Sequence, residues 1–239
     1  MENKFEISKN YWDEELLKIS CCRITIKGDL DLKDIKEISQ DIIKYDFITV
    51  VNKKLTIQNS VILSTIIGIY LADVNIKYEC KNPTSNKKIL DYKKIVLSKD
   101  SNLISQVKSI SNFEDSRFIN DYRLNALGGI KVYDKWIDTA VNDDRKFAIY
   151  LNDNNEVEGY ILFKENINSI IIELINVSHS IQNRGIGKKL INYLYYIAEK
   201  DNKSVIVGTQ LTNKIANNFY RKMGFIQTDV SYIYHKWNI

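Results

Sequence analysis

The chain has 239 residues, 44% apolar and 27% charged, which is the make-up of an ordinary globular protein and excludes a disordered or fibrous one. The net charge of +4 is mild and no basic, aromatic-laced tract accompanies it, so nucleic acid is not an expected partner and small acidic ligands are. Three cysteines, two of them adjacent and none in C-x-x-C spacing, stand with two histidines; this excludes a disulfide framework and makes no metal the expectation.

Residues 1–10 lack the apolar core of a leader, and the longest nearly apolar run, Val61–Val74, is too short to cross a bilayer. The expectation is a soluble cytoplasmic protein with no membrane association. Residues 1–100 read as a small α/β domain. Cys22–Ile26 alternates as a strand, Lys33–Tyr45 has helical spacing, and Phe47–Val51 is a strand. Ser60–Leu71 reads as a helix, and Val74–Tyr78 and Lys94–Leu97 as further strands. Lys81–Lys88, with the single proline, reads as an exposed loop.

A second domain is expected over residues 101–239. Ser101–Ala126 joins the halves, and within it Arg117 and Asp121 stand four apart beside Phe118. Arg117 either pairs with Asp121 in a loop salt bridge or grips a phosphate or carboxylate of a substrate. A helix follows, with Val132, Trp136, Ile137 and Ala140 on one face. Phe147–Leu151 and Val157–Phe163 are strands joined by Asn152–Asn155, a hairpin turn signal, and Gly159 marks a bulge or a close approach.

The densest signal lies between Ile171 and Phe225. An apolar strand ends at Val177, and Gln182-Asn183-Arg184-Gly185-Ile186-Gly187 then opens a helix whose Leu190, Tyr193, Leu194 and Ile197 share a face. Glycines there let a ligand approach the backbone, and the free N–H groups of the first turn make an anion site. No Gly-Lys-Ser/Thr follows, so the turn is not a P-loop, and Leu190 stands where a dinucleotide fingerprint needs its third glycine. A second strand, Ser204–Val207, leads to a helix for which Thr212 is the expected N-cap. Asn213 and Tyr220, two helical turns apart, look out from one side of it, with small Ala216 between them; Gly224 stops it, and Ile226–Trp237 holds the last strand.

Q-x-x-G-x-G after a strand, followed by N-x-x-A-x-x-x-Y-x-x-x-G-F, resembles the GCN5-related N-acetyltransferase (GNAT) superfamily over residues 145–239. The resemblance implies an α/β (α+β) fold in which a mixed central sheet with splayed strands is flanked by helices. It implies acetyl-CoA as donor, its pantetheine arm pairing with the strand ending Ile175-Asn176-Val177. The pyrophosphate then lies on the turn Gln182–Gly187, with Arg184 and Lys188 adding charge. By the same resemblance Asn213 bonds the pantetheine arm, Ala216 lies close against it, and Tyr220 is the acid for the leaving thiolate. A phenol suits that role, since its ordinary pKa of about 10 keeps it protonated at neutral pH.

Residues 1–100 repeat the strand and helix order of the second half without its glycine turn, so they are either a degenerate acetyltransferase-like half or an unrelated cap. Ser116-Arg117-Phe118-x-x-Asp121, then Tyr133-x-x-Trp136-Ile137 and Val207-x-Thr209-Gln210, resemble the TDP-fucosamine acetyltransferases. That implies a nucleotide-linked amino-deoxysugar as acceptor, with Arg117, Asp121, Tyr133, Trp136, Glu173 and Gln210 on its side of the cleft. Glu173 is placed on the face of Ile175 and Val177, as a base or as a strand glutamate in solvent or paired to a lysine. The alternatives are another amine acceptor (a peptide N-terminus, a polyamine, an antibiotic) or a CoA-binding module without turnover. Monomer and homodimer both stay open.

Overall fold

A computed structural model describes residues 3–86, 88 and 93–238. In chain order its elements are β1 (Phe5–Lys9), α1 (Tyr11–Leu17), β2 (Cys21–Ile26), α2 (Leu32–Ile42), β3 (Phe47–Asn52), α3 (Ile57–Leu63), β4 (Ile69–Cys80) and β5 (Ile95–Leu97). There follow α4 (Ser101–Ile110), α5 (Arg117–Asn120), α6 (Tyr122–Ala126), α7 (Val132–Val141), β6 (Lys146–Leu151), β7 (Val157–Glu165) and β8 (Ser169–Val177). The last are α8 (Ile186–Lys200), β9 (Ser204–Gln210), α9 (Lys214–Lys222) and β10 (Ile226–Trp237).

The strands form one ten-stranded sheet in the order β1-β2-β3-β10-β4-β9-β8-β7-β6-β5. Pairs β2/β3 and β8/β9 are parallel; the others are antiparallel. The runs β2-α2-β3-α3-β4 and β8-α8-β9-α9-β10 have the same order of elements, and their last strands change places. Thus β10 lies against β3 and β4 lies against β9, and the two long strands pair with each other at the centre. Strands from before and after residue 100 therefore share one hydrogen-bond ladder.

Apolar alternation sets what each face carries. Ile24, Ile26, Ile48 and Val50 bury against α2 and α3, and Ile76, Tyr78, Ile170, Ile172, Val205 and Val207 against α8 and α9, on the same face. Phe147, Ile149, Tyr160 and Leu162 take α4 and α7 on the opposite face, and Phe47 and Trp237 take α1, α5 and α6 there.

Several expectations for the first half are corrected. The helix read over Ser60–Leu71 is α3, which ends at Leu63. Ser64 and Thr65 hydroxyls bond back to the carbonyls of Val61 and Ile62, Gly68 turns the chain with φ +78°, and β4 has begun by Ile69. β-Branched residues in that run suit a strand at least as well as a helix. The loop Lys81–Lys88 is not simply exposed. Pro83 is buried, Ser85 donates to Glu199 on α8, and Asn86 and Asn192 exchange bonds of 2.6 and 2.9 Å; residue 87 of that loop lies outside the described residues. β1, α1 and α4 were not anticipated; each is short and only partly apolar.

Candidate active site

The cleft starts from a defect in the sheet. β8 and β9 pair from Ser169/Ser204 to Ile172/Val207 and no further, although β8 runs on to Val177 and β9 to Gln210. The outer edges stay held, since β7 covers β8 as far as Val177/Gly159 and β4 covers β9 as far as Gln210/Asn75. The facing edges thus carry main-chain N–H and C=O groups that no neighbouring strand pairs. A bulge causes the opening. Register slips between Leu162/Leu174 and Phe163/Ile172, leaving Glu173 as the extra residue, and a bulge bends its strand.

That bulge also moves Glu173. Simple alternation puts it with Ile175 and Val177, which pack toward α8. The extra residue instead sends Glu173 and Leu174 to the α4/α7 face. There Glu173 accepts from Trp136 Nε1 at 2.8 Å and from Arg145 Nη1 at 2.9 Å. Its cationic partner is an arginine, and both bonds fall on one oxygen, Oε2.

Beyond β8 the chain turns through Gln182–Gly187. Asn183 and Gly185 both take positive φ, +65° and +84°, the conformation glycine adopts without strain. Gly185 is the N-cap of α8, and no side chain caps this helix, so its first-turn N–H groups face outward. Gly187 suits the close packing here, because a Cβ there would lie 3.3 Å from Phe219 Cζ on α9. Gly159 makes the close approach expected of it, a Cβ meeting Ile186 Cγ2 at 3.1 Å. Gln182 Nε2 reaches the Val177 carbonyl at 3.3 Å, and Arg184 and Lys188 stand exposed at the rim. An uncapped N-terminus with two cations beside it and an open strand edge leading into it fits a pyrophosphate on an extended arm, as acetyl-CoA has.

On α9 the cap is Asn213 and not Thr212: Asn213 Oδ1 accepts from the Ala216 amide at 2.9 Å. Its side-chain N–H groups remain for a ligand. Sequence reasoning passed over Asn217, which is buried and satisfied at both ends. Its Nδ2 donates to the carbonyls of Gln210 and Asn213 at 2.8 and 2.7 Å, and Tyr78 Oη donates to its Oδ1 at 2.9 Å. Asn217 thereby ties α9 to the end of β9 and to β4. Tyr220 is 3% exposed, its ring among Tyr78, Phe219 and Phe225. Tyr78 pairs with Val207, the last β9 residue joined to β8, so Tyr220 stands at the fork. Its hydroxyl makes no hydrogen bond with a described residue, and burial raises its pKa.

Across the sheet lies the other wall. Arg117 and Asp121 do not bond each other directly; the imidazole of His235 stands between them. Arg117 Nη1 donates to His235 Nε2 at 2.8 Å, and His235 Nδ1 donates to Asp121 Oδ2 at 2.6 Å. Tyr70 Oη also donates to Asp121 Oδ2, at 2.5 Å, and Trp237 Nε1 donates to Tyr70 Oη at 3.0 Å. His235 is fully buried, and burial pushes its pKa below the ordinary range. Burial works against the Asp121 carboxylate, yet the bonds from His235 and Tyr70 outweigh it and hold Asp121 at about 2. The remaining N–H groups of Arg117 have no described partner, and its guanidinium lies over the Phe118 ring. Tyr133 and Trp136 lie parallel, with Phe113 stacked on Tyr133 at 4.1 Å. Gln210 sits at the end of β9, half-buried. His235 and Tyr70 carried no motif; only the fold brings them to Arg117.

Residues 112–225 match the sequence profile of the Acetyltransferase (GNAT) family. The spore coat polysaccharide biosynthesis protein SpsD of Bacillus subtilis (strain 168) is 27% identical over 127 residues. That match covers 53% of this chain and 44% of SpsD, so the chain spans under half the length of this relative. A conserved protein of unknown function from Staphylococcus epidermidis ATCC 12228 is similar in structure over 100% of this chain and 93% of its own, with a TM-score of 0.65 at 17% identity. A GCN5-related N-acetyltransferase from Sphaerobacter thermophilus matches 98% of this chain and 76% of its own, with a TM-score of 0.62 at 11% identity.

Proposed function

We propose that the protein, whose residues 112–225 match the GNAT family, is an acetyl-CoA-dependent N-acetyltransferase acting on the amino group of a nucleotide-linked amino-deoxysugar. The observation that carries the transferase reading is the fork itself: two strand edges freed beyond Ile172/Val207, leading to an uncapped helix N-terminus, with the unengaged hydroxyl of Tyr220 beside the fork. The sugar reading draws on the name of the SpsD relative, a polysaccharide biosynthesis protein, and on the aromatic wall of Tyr133 and Trp136 next to the partly unengaged guanidinium of Arg117.

In this reading the edge at Ile175 and Val177, with Asn213 and Ala216, holds the pantetheine arm. Gln182, Asn183, Gly185, Ile186 and Gly187 hold the pyrophosphate on main-chain N–H groups, and Arg184 and Lys188 add charge. Acetyl-CoA supplies there a thioester carbonyl open to attack by an amine. The free main-chain N–H groups of the β8 edge are fixed donors beside that carbonyl. The Tyr220 hydroxyl keeps its proton at neutral pH and gives it to the departing thiolate. Glu173, tied to Trp136 and Arg145, orients the aromatic wall, and the amine loses its proton to water. Arg117 binds the anionic part of the acceptor while Tyr133, Trp136 and Gln210 line the sugar. Residues 1–100 act as a degenerate acetyltransferase-like half that has kept the parallel strand pair and lost the glycine turn. The protein works as a monomer or homodimer.

The test is thiol release from acetyl-CoA with TDP-linked 3-amino- and 4-amino-dideoxyhexoses, a UDP-linked amino sugar, spermidine and a short peptide. Release with a nucleotide-linked amino sugar alone is expected. Release only with spermidine or peptide would keep the transferase and overturn the sugar. No release at all, with acetyl-CoA still bound, would overturn the enzyme and leave a binding module.

A further inference from the structure

Asp73 is the odd carboxylate of this fold. It lies on β4, in the half of the chain outside the GNAT match, and pairs across the central ladder with Ile233. Ile233 is two residues from His235 on β10, so both point to the face that carries α5 and α7. Arg117 bonds His235 there, and Asp73 is an electrostatic neighbour of both Arg117 and Tyr133. It is half-buried, its carboxylate accepts a hydrogen bond from the Val74 amide, and no side chain among the described residues hydrogen-bonds it or forms an ion pair with it. Arg117, whose stronger electrostatic neighbour is the buried Asp13, has one N–H engaged and the others without a hydrogen-bond partner among the described residues.

A half-buried carboxylate held by a single backbone amide and by no side chain costs stability. Burial raises the proton affinity of Asp73, and the Val74 amide and, less so, Arg117 offset only part of this. Two ionic groups of opposite sign on one face of the sheet that form no ion pair with each other and still leave most of their hydrogen-bonding capacity unused form a receptor for a ligand with an anionic group next to hydrogen-bond donors. An activated sugar has that pattern, a phosphate flanked by hydroxyls.

We infer that Asp73 is a specificity-determining residue of the acceptor site, accepting hydrogen bonds from hydroxyls next to the anionic group that Arg117 binds. This rests on the amino-sugar reading above. It also makes the first half of the chain a contributor of substrate contacts, through a strand that the fold exchange inserts between β9 and β10.

Asp73→Asn tests the assignment, because a residue kept for binding and a residue kept for folding respond in opposite ways. Wild type and variant are compared in steady-state kinetics with the TDP- and UDP-linked amino sugars and with unlinked glucosamine, and in thermal unfolding without ligand. The expected result is an acceptor KM raised roughly 10–100-fold, the loss of a hydrogen bond to a charged group. kcat and the KM for acetyl-CoA stay unchanged, and the melting temperature rises by roughly 2–4 °C as an unpaired charge leaves the interior. An unchanged acceptor KM, or a lower melting temperature, overturns it. If wild type acetylates none of these acceptors, the amino-sugar reading fails on its own account. The unfolding comparison then decides for Asp73: a rise supports a ligand-binding role, and no change or a fall refutes it.

Discussion

Arg117 donates from Nη1 to Nε2 of His235 across 2.8 Å, and that contact fixes the state of the imidazole. A guanidinium only donates, so Nε2 must accept, the ring must be neutral, and its one proton must sit on Nδ1 facing Asp121. The chain thus places a neutral histidine between an arginine and an aspartate, and both of those residues come from the short helical segment after α4.

The pH dependence of stability follows from this arrangement. Burial and Arg117 depress the proton affinity of His235, with Asp121 opposing them. In the unfolded chain His235 takes up a proton near its ordinary pKa of about 6.5. The native state resists that proton, so the unfolded state binds more protons and stability falls as pH drops below about 6.5. Asp121, held at about 2, contributes in the same direction at lower pH, its stabilisation being lost as pH falls from about 4 toward 2. His235→Gln can still accept from Arg117 and donate to Asp121. Urea unfolding of this variant between pH 7 and 5 should show a flatter pH profile than wild type; a profile of equal slope would contradict a buried neutral imidazole.

Tyr220→Phe removes a hydroxyl at the fork that no described residue engages. The ring contacts with Tyr78 and Phe225 are retained, so folding and acetyl-CoA affinity should be unaltered. Turnover should fall by about 10²–10³-fold, within the range for general acid catalysis. Wild-type turnover in this variant would take the acid role from Tyr220.

What could be read from the chain and what could not divide along a physical line. The glycine turn, Asn213 and Tyr220 announced themselves because they are local: their spacing along one helix or one turn is their geometry. The strand opening was legible only by resemblance, since its cause is one extra residue at Glu173 that alternation cannot detect. The same bulge overturned the face assigned to Glu173. His235, Tyr70 and Asp73 carried no signal, because their meaning comes from strands that pair after changing places, with β4 between β9 and β10. Asn217 was overlooked for a simpler reason: an asparagine inside a helix reads as surface unless the carbonyls it must satisfy are known.

Gly185→Glu tests the anion site by charge alone. A Cβ at Gly185 meets nothing within 4 Å, so crowding is not the issue, although φ of +84° adds some backbone strain. A carboxylate at the N-cap would fill the position expected for the pyrophosphate and repel it. Calorimetric titration with CoA should show affinity reduced at least about tenfold, a change of about 1.4 kcal/mol. Gly185→Asn, which tolerates positive φ, should bind nearly as wild type. Equal loss in both variants would point to backbone geometry in place of charge.

Two buried polar groups should respond with opposite sign. Asn217→Ala strips partners from the Gln210 and Asn213 carbonyls and from Tyr78, and should cost about 2–4 kcal/mol in urea unfolding. Thr49 Oγ1 on β3 is buried without a partner, so Thr49→Val should be neutral or stabilising by up to about 1 kcal/mol. A destabilised Thr49→Val would mean that the hydroxyl is satisfied.

Glu173 is the residue on which the chemistry of the amine turns. A base must be free to take a proton, whereas the Glu173 carboxylate accepts from Trp136 and pairs with Arg145, which is itself paired with Asp143 at 2.6 Å. Accepting a proton would leave Arg145 facing a neutral group and weaken the bond that orients Trp136. Glu173→Gln keeps an oxygen for Trp136 while removing the charge. If Glu173 positions the aromatic wall, kcat should fall less than about tenfold, the acceptor KM should rise modestly, and the pH profile of kcat/KM should keep its shape. If it is the base, kcat should fall by about 10²–10⁴-fold and the acidic limb of that profile should disappear. Trp136→Phe separates the readings further, because it frees the carboxylate from one donor. It should raise the acceptor KM under the positioning role and leave kcat nearly intact, and a large loss of kcat with unaltered KM would return the base to Glu173.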